Sequence, residues 1–364
     1  MAQHPSWRRI DGPVSVPTMP ELPEVETVRR MLEASVIGRT IERVRLSGLR
    51  LRGVPHAPGL AAALRARTIT TLRRHGKYLL IDLSGGHTIV SHLGMSGRWL
   101  FFPGPGSKRL DHVHVRLEFA DGSRLWFQDP RRFGMFRLVP SDKLHEDPSL
   151  ALLGPDPIAD PPTGRGLAAR ARGLSVRAKL FLLDQRRIAG IGNIYASEIL
   201  HRARVHPARP AGSIRPAEWT RIARETRAVL AEAIERMGTT FSTYRTLSNE
   251  PGSYGDQLRV YDRAGEPCRR CAAPVRRIVR ASARHSTAPP VSPCARRAGG
   301  VISRNSWIIR STSHRLTTSK RAESFYVHPH ERIGFAFFLA SVALVVARRA
   351  TSPYSVGLLP PSWT

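Results

Sequence analysis

Cysteine is scarce, with three in 364 residues, too few for a disulfide framework, which argues against a stapled secreted scaffold. Cys268 and Cys271 instead have metal-ligand spacing, so a reducing, cytoplasmic setting is expected. Acidic residues are also few. Twenty-eight Asp and Glu stand against 57 Lys and Arg, a formal charge of +29 that calls for a polyanionic partner, nucleic acid first. A basic tail accounts for only part of the excess, because residues 288–364 carry ten Lys and Arg against Glu323 and Glu331. Long apolar runs are missing as well. Residues 1–18 contain no signal-peptide core, and the stretch from Ile333 to Ala347 has fifteen residues, short of the roughly 17–25 of a spanning helix. No membrane role and no internal repeat is indicated.

What is present divides the chain. "VETVRRMLEASV" places Val25, Val28, Leu32 and Val36 at helical spacing, with acidic residues at the positive end of the helix. Between residues 68 and 139 the texture turns to strands: "VHVRLEF" alternates, Asp121-Gly122 supplies a hairpin turn and "SRLWF" returns. Pro155, Pro157, Pro161 and Pro162 then interrupt regular structure, as a linker does. Helical patterns follow in "SVRAKLFLLDQ" and "NIYASEILHRA" around the turn "RRIAGIG", and in a longer helix from Pro216 that Gly238 stops. The expected fold class is α+β: an antiparallel β domain with one helix over 19–152, a mainly helical domain with a helix-turn-helix-like module over 153–262, a hairpin over 263–297, and unassigned segments at 1–18 and 298–364.

The stretch "MPELPEVET" at residues 19–27 carries the first chemical signal. Inside a chain the nitrogen of Pro20 is an amide; at a free N-terminus it is a secondary amine, a nucleophile able to form an iminium with a sugar carbon. Glu21 and Glu24 are close enough in sequence to manage protons around it. A purely structural reading, in which Pro20 and Pro23 shape a helix start, stays open on spacing alone. Lys77 by itself reads as a surface lysine, Met95 and Phe133 as core residues, and His112 as a histidine on the polar face of a strand. Asn193 stands where "GIG" meets a helix, so its side chain and the neighbouring N–H groups suit a phosphate, with Lys179 adding charge.

Six strings in order, "MPELPEVETVRR", "HGKYLL", "HLGMSG", "DPRRFG", "GIGNIYASEIL" and a C-x-x-C behind "VYDRAGEPC", resemble the formamidopyrimidine-DNA glycosylase family (Fpg or MutM) over residues 19–287. The resemblance implies an antiparallel β-sandwich followed by a helix-two-turn-helix domain, in a monomeric DNA glycosylase and AP lyase that removes formamidopyrimidines and 8-oxoguanine from duplex DNA by Schiff base and β,δ-elimination. It implies that Pro20 attacks C1′, Glu21 donates a proton to the opening sugar, Glu24 supports the site, and Lys77 contacts phosphate and assists elimination. Met95, Arg131 and Phe133 match the wedge that replaces a flipped base, and His112, Lys179 and Asn193 match DNA contacts. "SNEPGSYGDQLRVYDR" resembles the segment covering an everted purine. Because the family begins at its proline, Met19 is the expected start and residues 1–18 an extension foreign to the working enzyme. An endonuclease VIII-like enzyme for oxidised pyrimidines is the nearest alternative, which "PELPEVET" and "LGMSG" disfavour; a DNA-binding relic without catalysis is the other.

The pattern breaks at the C-terminus. The family closes with one structural zinc held by two C-x-x-C pairs, and here Cys268 and Cys271 are followed only by Cys294, with Arg297 in the fourth place. His285 could complete a Cys3His set, but a frame change near Thr287 accounts for more of the departure. Arg284 is the nearest match to the finger arginine of the second elimination.

Overall fold

The structure, a computed structural model, describes residues 19–52, 57–106, 109–239 and 252–277. Helix α1 (Leu22–Val36) is followed by strand β1 (Ile41–Leu46), a short helix α2 (Leu60–Leu64) and seven strands: β2 (Ile69–His75), β3 (Tyr78–Leu83), β4 (His87–His92), β5 (Arg98–Phe102), β6 (Val113–Phe119), β7 (Arg124–Gln128) and β8 (Met135–Pro140). They form two antiparallel four-stranded sheets, ordered β1-β6-β7-β5 and β2-β3-β4-β8. The alternation in β6 buries Val115, Leu117 and Phe119 and leaves Arg116 and Glu118 partly exposed. Its turn closes where Gly122 takes φ +80° and the Asp121 carboxylate accepts from the Ser123 N–H at 3.0 Å. Trp99 meets Phe127 at 5.1 Å and, across the sandwich, Phe136 at 6.0 Å between ring centroids.

The second half holds α3 (Gly164–Ala171), α4 (Ala178–Leu183), α5 (Asn193–Arg202) and α6 (Pro216–Glu235). Phe181 and Trp219 meet in their shared core with their rings tilted by 55° and their centroids 5.0 Å apart. After α6, Gly238 takes φ +77° and its N–H bonds back to the Ala233 carbonyl at 2.7 Å, the left-handed stop read in the sequence. Helix α1 belongs to both halves: Val25, Val28, Leu32 and Val36 join the sandwich core, whereas Leu22 joins the helical one.

Several elements differ from expectation. Strand β1 precedes the predicted strand region and pairs with β6, although only Ile41 of its six residues is fully buried, so alternation was faint. A second helix, α2, accompanies α1, and α3 was not foreseen. Helix α4 is shorter than "SVRAKLFLLDQ" because its first N–H groups bond the carbonyls of Arg209 and Pro207, and Asp184 turns its carboxylate onto Arg186 and Arg187. His112 lies not on a strand face but exposed in the turn before β6, at φ +60°. Among the described residues no helix is long and apolar enough to cross a membrane.

The proline run does more than interrupt. Asp156, 2% exposed, accepts from the Gly76 N–H at 2.8 Å and pairs with both terminal nitrogens of Arg74, whose Nε donates to Glu26 at 3.0 Å. Arg74 in turn donates to the Gly76 carbonyl at 3.1 Å. Burial works to raise Asp156, but Arg74 and the surrounding N–H groups outweigh it and hold the carboxyl below its ordinary value. Removing Asp156 leaves Arg74 with Glu26 alone and the Gly76 N–H without its acceptor, and breaking a buried pair of this kind costs about 3–5 kcal/mol. Asp156→Ala is therefore expected to lower the melting temperature by roughly 10 °C, and Arg74→Met with Asp156→Leu to recover most of it; calorimetry showing no loss in the single variant would contradict this pairing.

Candidate active site

The start of α1 is docked onto the turn that opens α5. The Leu22 N–H donates to the Gly190 carbonyl at 3.1 Å. The Glu21 carboxylate, 3% exposed, accepts from the N–H groups of Gly192 at 2.7 Å, Ile194 at 2.9 Å and Tyr195 at 3.3 Å. These are donors that a helix N-terminus leaves without intrahelical partners, and the helix dipole favours the anion placed there. The expectation that they hold a phosphate is corrected: Glu21 occupies them. The glycines of "GIG" make this approach possible, since a Cβ on Gly192 would come within 2.4 Å of Glu21 and one on Gly190 within 2.6 Å of Leu22.

Glu24, also buried, is fixed from three sides. Its Oε1 accepts from the Tyr195 hydroxyl at 2.6 Å and from the Thr239 N–H and hydroxyl at 2.8 and 2.9 Å, and its Oε2 accepts from the Glu21 N–H at 2.9 Å. Pro20, buried, is thus held one residue ahead of a clamped carboxylate.

Lys77 sits in the two-residue turn between β2 and β3, as the hairpin reading required. A Cβ on its neighbour Gly76 would lie 3.0 Å from that of Ala189, so this turn packs against the same "AGIG" segment. Lys77 is half-buried rather than a free surface lysine. Burial pushes its ammonium below the ordinary lysine range, against the pull of Glu21 and Glu24. Lys179 on α4 is brought down to about 8 by burial, opposed by Glu21, and its Nζ has no hydrogen-bond partner among the described residues. The side-chain oxygen of Asn193 is buried without a partner too. Burial raises Glu21 to about 7; Lys77 and the N–H groups oppose that rise, and Glu24 adds to it.

A second group lies at the end of the sandwich. Met95 is half-buried between β4 and β5, whereas Phe133, between β7 and β8, is 40% exposed, with the Arg131 guanidinium 4.8 Å from its ring centre. Phe133 is therefore not a core residue. Arg284, His285 and Cys294 lie outside the described residues, as do residues 248–251 of the segment compared to a purine cover. Tyr195, Thr239 and Asp156 were missed: Tyr195 stood inside a recognised string, but nothing marked the other two.

The sequence matches the formamidopyrimidine-DNA glycosylase N-terminal domain over residues 19–136 and the formamidopyrimidine-DNA glycosylase H2TH domain over residues 153–245. A formamidopyrimidine-DNA glycosylase of Symbiobacterium thermophilum is 46% identical over 260 residues, covering 71% of this chain and 85% of that protein. The chain belongs to the formamidopyrimidine-DNA glycosylase family. The crystal structure of the MutM (Fpg) protein from Thermus thermophilus is similar with a TM-score of 0.64 at 37% identity, covering 76% of this chain and 97% of that one. Lactococcus lactis Fpg in complex with abasic-site DNA is similar with a TM-score of 0.66 at 31% identity, covering 71% and 94%.

The zinc that this family carries finds an incomplete set here. Cys268 is buried, with its Sγ accepting from the Arg270 N–H at 3.5 Å and lying 3.6 Å from Nε2 of His201, and Cys271 is exposed. Among the described residues no group of three or more His, Cys, Asp or Glu side chains is arranged to hold a metal. Two thiols do not make up the tetrahedral set of a structural zinc, and the described residues therefore do not fit the ion.

The charge balance at Glu21 is testable directly. In carbon-13 NMR of labelled glutamate, Glu21 is expected to titrate near pH 7, and Lys77→Met is expected to move that titration upward, because a neighbouring cation stabilises the carboxylate. Titration in the ordinary carboxylate range in both proteins would contradict the arrangement.

Proposed function

We propose that this chain is a base-excision DNA glycosylase with AP lyase activity, acting on formamidopyrimidine and 8-oxoguanine in duplex DNA. The observation that carries the reading is the cross-domain docking of Glu21 and Glu24, which anchors the residue next to Pro20, with Lys77 and Lys179 in electrostatic reach of Glu21. A net charge of +29 suits a phosphate backbone. Sequence relatives carry the name of this activity, and a solved relative holds abasic-site DNA, the product of base loss.

The target nucleotide leaves the stack, since its C1′ is out of reach inside the duplex. Met95, Arg131 and Phe133 fill the gap. The lone pair of Pro20 forms a bond to C1′ as the C1′–base bond breaks and its electrons leave with the base. The amine proton is released, and the departing base takes up another from solvent. The C1′–O4′ bond then opens, O4′ takes the proton of Glu21, and an iminium remains. Titration of Glu21 near 7 suits a donor working at neutral pH. Loss of the C2′ proton expels the 3′ phosphate, and loss of the C4′ proton expels the 5′ phosphate. Lys77 supports these departures from its turn. Lys179, whose buried Nζ has no hydrogen-bond partner among the described residues, serves as a phosphate contact, and Asn193 donates to a phosphate through its side-chain amide nitrogen.

The first step requires a secondary amine; the Met19–Pro20 amide has no lone pair to give. A chain beginning at Pro20 is expected to be trapped on 8-oxoguanine DNA by borohydride, whereas the chain retaining residues 1–19 is not. Equal trapping of the two would overturn the amine mechanism.

A further inference from the structure

The residues read above as the wedge come from two loops, each of which crosses from one sheet to the other. Met95 belongs to the loop joining β4 to β5, and Arg131 and Phe133 to the loop joining β7 to β8. A side chain that none of the proposed steps uses joins these loops. Asp129, 0% exposed, accepts through Oδ1 from the Ser96 hydroxyl at 2.5 Å and the Arg131 N–H at 3.3 Å, and through Oδ2 from the Gly134 N–H at 2.6 Å. Ser96, next to Met95, accepts in addition from the Arg131 N–H at 3.2 Å.

The backbones touch as well. Gly94, at φ +64°, would place a Cβ 2.5 Å from the Phe133 carbonyl carbon, so no other residue fits there. Arg52 ties the frame from a third segment: its N–H donates to the Arg132 carbonyl at 2.6 Å and its Nε to the Phe133 carbonyl at 3.1 Å. Arg52 and Arg132 both hold left-handed backbone, at φ +49° and +57°, a conformation that persists in non-glycine residues only when the surroundings over-determine it. Above this rigid base Phe133 stands exposed, with Arg131 against its ring.

We propose that Asp129 is a positioning residue for base eversion: its buried carboxylate locks the two loops in register so that Met95, Arg131 and Phe133 enter the base stack as one pre-formed wedge. The proposal rests on the wedge reading of those three residues. Asp129 does not touch DNA or the reacting atoms; it acts through the loops it joins. In the Asn variant the side-chain NH2 confronts an N–H donor at Arg131 or Gly134, so one link is lost while the volume is kept.

Eversion needs no free amine, so the full chain serves for the test. The probe is a duplex with an 8-oxoguanine–cytosine pair flanked by 2-aminopurine, whose fluorescence rises as the neighbouring base leaves the stack. Asp129→Asn is expected to lower the everted population by about ten-fold, with affinity for undamaged duplex unchanged, and to add nothing in a Phe133→Ala background. Ser96→Ala, which removes one link only, is expected to show a smaller loss of the same kind and carries the test if thermal melting shows Asp129→Asn unfolded. Normal eversion in both frame variants while Phe133→Ala impairs it would overturn the positioning role, and so would a loss that multiplies with that of Phe133→Ala. Unchanged eversion in Phe133→Ala itself would instead sink the wedge reading beneath it.

Discussion

The arrangement depends on one hydrogen-bonded carboxylate. Glu21 leaves the N-terminal sandwich to cap a helix that begins 172 residues later, taking the N–H groups of Gly192, Ile194 and Tyr195. Capping of this kind usually comes from the residue just before a helix. Here it comes from the other half of the molecule, so completing α5 and docking α1 are the same event. Glu24 repeats the device one turn on, with Tyr195 and Thr239 as its donors. The residue ahead of the first carboxylate, Pro20, has its position set by both.

A buried carboxylate held by N–H groups and flanked by two depressed lysines has no single dominant protonation state near neutrality. Burial drives Glu21 toward the acid form and the lysines toward the amine form, and each opposite charge restrains the other. Such a balance suits proton exchange at an opening sugar. It also places demands on the frame: Lys77 must stay at its turn, and the Asp156–Arg74–Glu26 network keeps that turn against the α5 segment.

Local signals and long-range ones fared differently in the sequence. The hairpin at Asp121-Gly122, the Lys77 turn, α5 and the glycine stop of α6 are decided by residues within a few positions, and all were legible. Strand β1 was not, because a strand with one face barely buried shows little alternation. The site residues were named by their resemblance to a family, yet their partners were not. The N–H groups of α5 read as a phosphate site because sequence shows where a helix begins, not which anion folds onto it. Asp156 looked like linker because its partner Arg74 lies 82 residues away and only tertiary structure joins them. Phe133 looked like core because an apolar side chain displayed on purpose has the same letter as a hidden one.

The central claim, that docking of Glu21 and Glu24 presents the Pro20 nitrogen as the nucleophile, is tested most directly by locating the covalent bond. After reduction of the DNA-linked protein and digestion, peptide mass spectrometry reports the modified residue. The account predicts the sugar remnant on the nitrogen of Pro20; a remnant on Lys77 or Lys179, with Pro20 unmodified, would contradict it.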